Sequence, residues 1–437
     1  MRDTLTMDVP VAPANSMAKR ATAASTVGSA LEWIDFTAYG AVSATVFPKI
    51  FFSHMDPNMG ILAAFATFGI GFFARPLGGL FFGMLGDRIG RKNILLYTLS
   101  LMGAASFLIG CLPTYATIGF AAPLCLVLLR FLQGFALGGE ATGAQLMTME
   151  HAPQNKRGLY GSFINIGSSL SAALASGMLF VLTSTLGADQ FQSWGWRVPF
   201  LLSFLLVIVG IYIRLRVSET PAFVQAHAKG QEERVPMIKA FRQYPGTIFR
   251  LLVIWCAPTA CFYVITVFSL SYITKNLALP SQTAFLCLTG ANVFAIFTVI
   301  AGGAISDKIG RKPTMLIASL LTLVIALSYF TLLDSKSWIV IFLAMAAFIG
   351  SLQIQSGVQP AFFAEPFPTN VRYSGSAAAY TGANLLMGGP TPFICAWLLQ
   401  HSGGQTWVIT SFCAVVVGAS LIAIIASPET RHLDIKR

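Results

Sequence analysis

The stretch Gly83-Met-Leu-Gly-Asp87-Arg88-Ile-Gly90-Arg91-Lys92 returns 220 residues later (Gly83 to Gly303) as Gly303-Ala-Ile-Ser-Asp307-Lys308-Ile-Gly310-Arg311-Lys312. Aspartate, glycine and the basic pair keep the same spacing in both copies. Two further echoes follow in the same order. Glu150 stands seven residues before Arg157-Gly158, and Glu365 seven before Arg372, with Ser374-Gly375 beyond it. Ser218-Glu219-Thr220-Pro221 then closes the first half, and Ser427-Pro428-Glu429-Thr430 the second. Three matched features in one order mark a duplicated chain.

The sequence around these copies is apolar. Of 437 residues, 55% are hydrophobic and 10% charged, with mean hydropathy +0.71. Soluble domains carry about 25% charged residues. Apolar runs of roughly 18 or more residues recur, each long enough to cross a hydrocarbon core of about 30 Å as a helix. Unpaired backbone groups are not tolerated in lipid, and barrel strands would be about ten residues with alternation, so the spans are expected to be helical.

The expected fold is an all-α integral membrane protein with about twelve spans in two six-helix repeats. The spans cover 23–47, 58–84, 94–112, 120–149, 157–185, 197–215, 248–274, 283–304, 314–333, 338–364, 373–399 and 406–427. They divide the chain into a tail (1–22), a first bundle (23–215), a polar linker (216–247), a second bundle (248–427) and a closing tail (428–437). The first tail, with Pro10, Pro13, Lys19 and Arg20 and no apolar core, reads as a cytoplasmic segment and not a cleaved signal peptide.

The net charge of +11 reports topology and not nucleic-acid binding. All Lys and Arg except Lys49, Arg75, Arg130, Arg197, Lys275 and Lys336 fall on one side of the expected spans. That asymmetry is the positive-inside pattern and puts both termini in the cytoplasm. Both signature copies lie on that side, so the repeats run parallel, related about an axis along the membrane normal. The seven cysteines sit in or beside apolar runs without paired spacing, which suits packing and not a disulfide framework or zinc site.

The doubled loop resembles the signature of the major facilitator superfamily, and Arg130-Phe-Leu-Gln133-Gly134 is similar to its fourth-helix motif. Within it the chain resembles the metabolite:proton symporter family. The residues that carry this are Glu32-Trp33-Ile34-Asp35-Phe36, Phe73-Ala-Arg75-Pro76-Leu-Gly78-Gly79, Gly138-Gly139-Glu140 and Trp194-Gly195-Trp196-Arg197-Val-Pro199-Phe200. The resemblance implies a carrier in a bacterial inner membrane, working as a monomer, for compounds such as shikimate, 2-oxoglutarate, citrate, proline or betaine. Leu62-Ala-Ala-Phe-Ala-Thr-Phe-Gly69 is similar to the shikimate-like branch.

Charges inside spans cost roughly 2.5–3.5 kcal/mol each at mid-bilayer, so they mark function or ion pairing. Glu32, Asp35 and Tyr39 share one face of the first span. Arg75 lies in the second span, where Pro76 and two glycines also suit a helix end, and Arg130, Gln133 and Glu140 lie in the fourth. An anionic substrate that engages an arginine would free a neighbouring carboxylate to take a proton, which is the physics of symport. Asp35 or Glu32 is the expected proton carrier, with Arg130 coupled to it. Arg75 and Arg130 are the expected forks for a substrate carboxylate. Gln355, Gln359, Tyr380 and Asn384 in the second half suit hydrogen bonding to the same ligand. The competing reading is structural ion pairs and interhelical polar contacts.

By the resemblance, Gly83, Asp87, Arg91, Glu150, Arg157 and Glu219, echoed by Asp307, Arg311, Glu365, Arg372 and Glu429, form cytoplasmic gates. Gly388-Gly389-Pro390 is expected to kink the eleventh span. There is no phosphate-binding G-x-x-x-x-G-K-[ST] loop, no H-E-x-x-H and no G-x-S-x-G, so an enzyme or a pump driven by ATP is not expected, nor any cofactor or metal. The expected partners are a small organic anion, protons and the lipid bilayer. Uptake of zwitterionic osmolytes, or uniport or antiport on the same fold, remain the alternatives.

Overall fold

A computed structural model describes residues 33–89, 91–138, 152–215, 236–369 and 371–433. Among these residues regular structure is helical. The first helix, α1, covers 33–45. It is followed by α2 (Pro57–Ile89), α3 (Arg91–Cys111), α4 (Ala121–Leu137), α5 (Arg157–Ser193) and α6 (Val198–Leu215). A short helix, Pro236–Gln243, leads into α7 (Pro245–Asn276), α8 (Ser281–Ile309), α9 (Arg311–Leu333) and α10 (Trp338–Ala364). The eleventh, α11, runs as Arg372–Ala383, a π-helical turn Asn384–Gly388, and Pro390–His401; α12 is Trp407–Ile425. The π turn falls just before Gly389-Pro390, where proline removes a backbone donor.

Seven of these helices, α2, α5, α7, α8, α9, α10 and α12, are long and apolar enough to cross a membrane, and shorter apolar stretches lie in α3 and α4. The polarity of α9 is inverted relative to a soluble helix. Ile317, Leu320, Val324 and Leu327 are exposed on one face, while Arg311, Thr314, Ser319 and Thr322 are buried on the other. Leaving such a stripe in water would forfeit roughly 1.5–3 kcal/mol per side chain, so it is built for hydrocarbon.

Helices approach closely where side chains are absent. The backbones of Gly71 and Gly134 meet between α2 and α4, and those of Gly357 and Val299 between α10 and α8. Contacts between the two repeats include α5 with α10, where Asn165 Nδ2 donates to Ser356 O at 2.6 Å, and three further helix pairs. Antiparallel α5 and α8 touch along their length, at Gly158 and Gly303, at Ser176 and Thr289 (3.0 Å between hydroxyls), and at Phe191 and Phe285. Gly69 of α2 faces Gly389 of α11, and Gly40 of α1 faces Val267 of α7. One apolar cluster therefore extends through both repeats.

Candidate functional site

The centre of the bundle is built from α1, α2, α3 and α4. Arg130 of α4 is fully buried, and its Nη1 donates to Gln133 Oε1 one turn on. Gln133 Nε2 in turn donates to Ser106 Oγ on α3 at 2.7 Å. Among the described residues Arg130 Nε and Nη2 have no hydrogen-bond acceptor. The guanidinium instead lies 4.0 Å from the ring centres of both Phe36 and Tyr39, and 5.1 Å from that of Phe68. Aromatic faces attract a cation, by about 2 kcal/mol or more when desolvated, but they do not satisfy N–H donors.

Asp35 is also buried, 3% exposed, and its Oδ1 has no hydrogen-bond partner among the described residues. Ser106 and Arg130 are the groups that act on this carboxyl. No Asp35–Arg130 contact within 4 Å occurs, so acid and base share one chamber without closing an ion pair. Tyr39 donates to Thr67 Oγ1 at 2.9 Å, which pins its ring over the guanidinium. Gly71 makes room for the arginine: a Cβ there would stand 2.8 Å from Arg130 Nε.

Arg75 sits one helical turn beyond Gly71 and is half-buried. Because α2 continues through Pro76 to Ile89, Arg75 lies within the helix and not at its end. Its guanidinium is walled by Trp33, Phe36 and Phe72, with ring centres 4.4–5.3 Å away. Tyr263 of α7 and Tyr380 of α11 are within its electrostatic reach. Between α1 and α7, Phe36, Phe68 and Tyr263 leave a void of only about 10 Å³, room for roughly one water.

Thus Asp35, Tyr39, Arg130 and Gln133 come together, Arg75 borders them, and Tyr380 and Asn384 adjoin from α11, with Asn384 Nδ2 donating to Tyr380 O at 2.8 Å. Gln355 points elsewhere: it donates to Thr322 (3.1 Å) and accepts from Ser319 (3.2 Å) on α9. Gln359 meets Asn165 of α5 at 3.4 Å. Glu32 and Glu140 lie outside the described residues. Sequence reasoning did not single out Ser106, Thr67 or Phe72; hydroxyls and phenylalanines are common in spans and carry no spacing signal.

A second cluster lies at the end of the bundle that carries the second signature copy. Asp307 accepts from the backbone amides of Gly158 (2.9 Å) and Leu159 (2.8 Å), the first turn of α5. Arg311 bridges Asp307 (2.7 Å) and Glu365 (3.3 Å) and also donates to Ser306. Thr430 Oγ1 donates to Glu365 at 2.6 Å. Glu429 accepts four backbone amides, those of Arg311, Lys312, Thr430 and Arg431, at 2.9–3.0 Å. Burial alone would raise the Glu429 carboxyl, but these four donors together hold it below the usual glutamate value. Burial dominates at Glu365 and pushes its carboxyl up despite Arg311.

Gly310 has φ 110°, a left-handed backbone where Cβ is disfavoured, and a Cβ would stand 2.6 Å from Glu429. Arg157 Nη1 donates to Leu433 O, and Arg372 Nε to the carbonyls of Ala364 and Phe367, each at 3.2 Å. Gly83, Asp87 and Arg91 fall on α2 and α3, but their side chains lie outside the described set, as do Glu150 and Glu219.

Known proteins share this design. The chain is 38% identical to the shikimate transporter of Escherichia coli K12 over 394 residues, covering 89% of this chain and 90% of that one. It is 38% identical to the inner membrane metabolite transport protein YhjE of the same strain, covering 98% of each. The proline/betaine transporter of that strain is 35% identical, covering 98% of this chain and 87% of the relative. Among solved structures, a D-xylose–proton symporter superposes with TM-score 0.74 at 19% identity, covering 94% of this chain and 98% of that one. A partially occluded inward-open form of the E. coli xylose transporter XylE gives TM-score 0.74 at 18% identity, covering 96% and 100%. A sequence profile described as Major Facilitator Superfamily matches residues 28–392. With a duplicated helical bundle and relatives aligned almost end to end, the chain belongs to the Major Facilitator Superfamily and is a multi-pass membrane transporter, not an enzyme.

Proposed function

We propose that the chain is a proton symporter that brings a small organic acid, a mono- or dicarboxylate of the shikimate or 2-oxoglutarate kind, into the cell. The observation that carries this reading is the buried Asp35 beside an Arg130 with two N–H groups that find no acceptor among the described residues. A guanidinium in that state is short of an acceptor, and a carboxylate supplies two in fork geometry. Once a substrate anion occupies Arg130, or Arg75 across the aromatic wall, Asp35 loses its countercharge and takes a proton. Proton and anion then travel together, as a neutral pair for a monocarboxylate and with one negative charge left for a dicarboxylate, which the low-dielectric bundle tolerates better than the unaccompanied anion.

In this reading the bundles 23–215 and 248–427, joined by the linker 216–247, rock about the central chamber. The skewed Lys and Arg distribution supports placing the Asp307 end and both termini in the cytoplasm of a bacterium, with the chain in the inner membrane. The cluster of Asp307, Arg311, Glu365 and Glu429 then serves as the cytoplasmic gate, with Asp87 and Arg91 as its first-repeat counterpart. The 35% identity to a proline/betaine transporter supports a second reading, uptake of zwitterions through the same chamber.

Proteoliposome uptake of labelled shikimate, 2-oxoglutarate, citrate, proline and betaine under an imposed inward proton gradient tests both. Gradient-dependent accumulation of one acid, lost in Asp35→Asn and in Arg130→Gln, is the expected result. Uptake indifferent to the gradient would sink the symport reading, and accumulation of betaine alone would move the substrate to the zwitterion class.

A further inference from the structure

A cavity of about 260 Å³ lies at the end of the bundle opposite the Asp307 cluster, between the start of α2 and the ends of α7 and α11. It is just below the roughly 300–1,000 Å³ of typical small-ligand pockets and far larger than the central void. Its polar wall comprises Asn58, Ser271, Tyr272, Lys275, Asn276 and Gln400.

Among the described residues Lys275 is the only cation that lines the cavity. Its Nζ donates to Asn58 Oδ1 at 2.7 Å, and Gln400 Nε2 donates to Asn58 O at 3.1 Å. Asn58, at the first turn of α2, is thus held by two residues of the second repeat. Lys275 makes no ion pair within 4 Å among the described residues. Asp56 acts on it at longer range, but an Asp56 oxygen is taken by the Asn58 amide at 2.8 Å. The Asp334 carboxylate accepts the Tyr272 hydroxyl. An ammonium whose close partner is a neutral amide retains most of its attraction for an anion.

We propose that this cavity is a vestibular binding site for small carboxylates, with Lys275 as the anion hook. The side-chain amides of Asn58, Asn276 and Gln400 and the hydroxyl of Ser271 supply the remaining donors, while the Tyr272 hydroxyl stays committed to Asp334. Because an arriving carboxylate competes with Asn58 for the same ammonium, its binding also loosens the contact that closes α2 against α7 and α11. The site rests on the orientation proposed above, in which this end faces outward, and it supplies a place where the transported acid waits before the central chamber opens.

The test is protection of Lys275 from a membrane-impermeant amine-reactive reagent added outside sealed proteoliposomes of the full chain, read by peptide mass spectrometry. Lys49 and Lys336, exposed and expected on the same side, are internal controls. Millimolar shikimate, 2-oxoglutarate or citrate is expected to slow Lys275 modification several-fold while Lys49 and Lys336 react unchanged. The protection should persist in Asp35→Asn, which leaves the vestibule intact. Three outcomes would overturn the proposal: equal Lys275 rates with and without each acid, equal slowing by chloride at matched ionic strength, or a Lys275 unreactive while Lys49 reacts. In parallel, Lys275→Gln should raise the KM for acid uptake several-fold at constant kcat, with Lys275→Arg restoring it. Protection without gradient-driven accumulation would remove the symport reading and keep the site; accumulation without protection would do the reverse.

Discussion

The Asp307 carboxylate of the second repeat accepts the backbone amide of Gly158 in the first, at 2.9 Å, across 149 residues of sequence. Leu159 donates to the other oxygen. A carboxylate at a helix amino terminus meets unpaired N–H groups and the positive end of the helix dipole. The repeated loop therefore ties one repeat to a helix of the other, and Arg311, itself paired with Glu365, holds the aspartate in place.

Asp307→Asn keeps the shape but removes the charge, and because its amide nitrogen cannot accept, one of the two hydrogen bonds to α5 is lost outright. Hydrogen bonds to charged groups are worth about 1.5–3 kcal/mol, so the clasped state should lose roughly tenfold or more in population. The expected outcome is a comparable fall in uptake rate in proteoliposomes with little change in helical circular dichroism. Unchanged uptake would remove this contact from the transport cycle.

Gly71→Ala would set a methyl group 2.8 Å from Arg130 Nε, whereas Gly177→Ala would meet Thr289 at an ordinary 3.4 Å. The first should displace the guanidinium, at a cost of about 1–3 kcal/mol as overpacking commonly imposes. Gly71→Ala is expected to depress uptake strongly while Gly177→Ala stays near the parent. Equal uptake by the two variants would show that the position of Arg130 does not matter.

Asp35→Asn retains the size of the side chain and abolishes its proton. If Asp35 carries the proton, the variant should lose accumulation against a gradient yet still exchange labelled for unlabelled substrate across the membrane. Counterflow measured beside gradient-driven uptake separates the two steps. Loss of both would assign Asp35 to substrate binding or folding.

Glu429 couples the Asp307 end of the bundle to pH. Its folded value lies below the ordinary glutamate value, so its contribution to stability is full above the ordinary value and is lost as pH falls through the folded one. Glu429→Gln should therefore lower the Tm by a few degrees at neutral pH, and this deficit should shrink in acid. Thermal unfolding in detergent across that range is the measurement. A deficit independent of pH would assign the effect to lost packing alone.

Hydropathy and internal repetition were enough to reveal a helical, duplicated membrane protein, because both are written along the chain at short range. Twenty apolar residues in lipid leave the backbone little choice but a helix, and a repeated loop marks a repeated fold. The acidic and basic residues in the spans were legible for the same reason: Asp35, Arg75 and Arg130 stand out against an apolar background. Their setting was not. Only tertiary packing leaves Arg130 with two donors unmet among the described residues, wraps it in Phe36, Tyr39 and Phe68, and gives Gln133 the Ser106 hydroxyl. Gln355 and Gln359 share a face in sequence, yet the fold turns one toward α9 and brings the other to Asn165 of α5. Hydrogen bonds between helices depend on which faces meet, and that is set by glycine contacts such as Gly71 with Gly134 and Gly158 with Gly303, far apart in the chain and decided by the packing of the whole bundle.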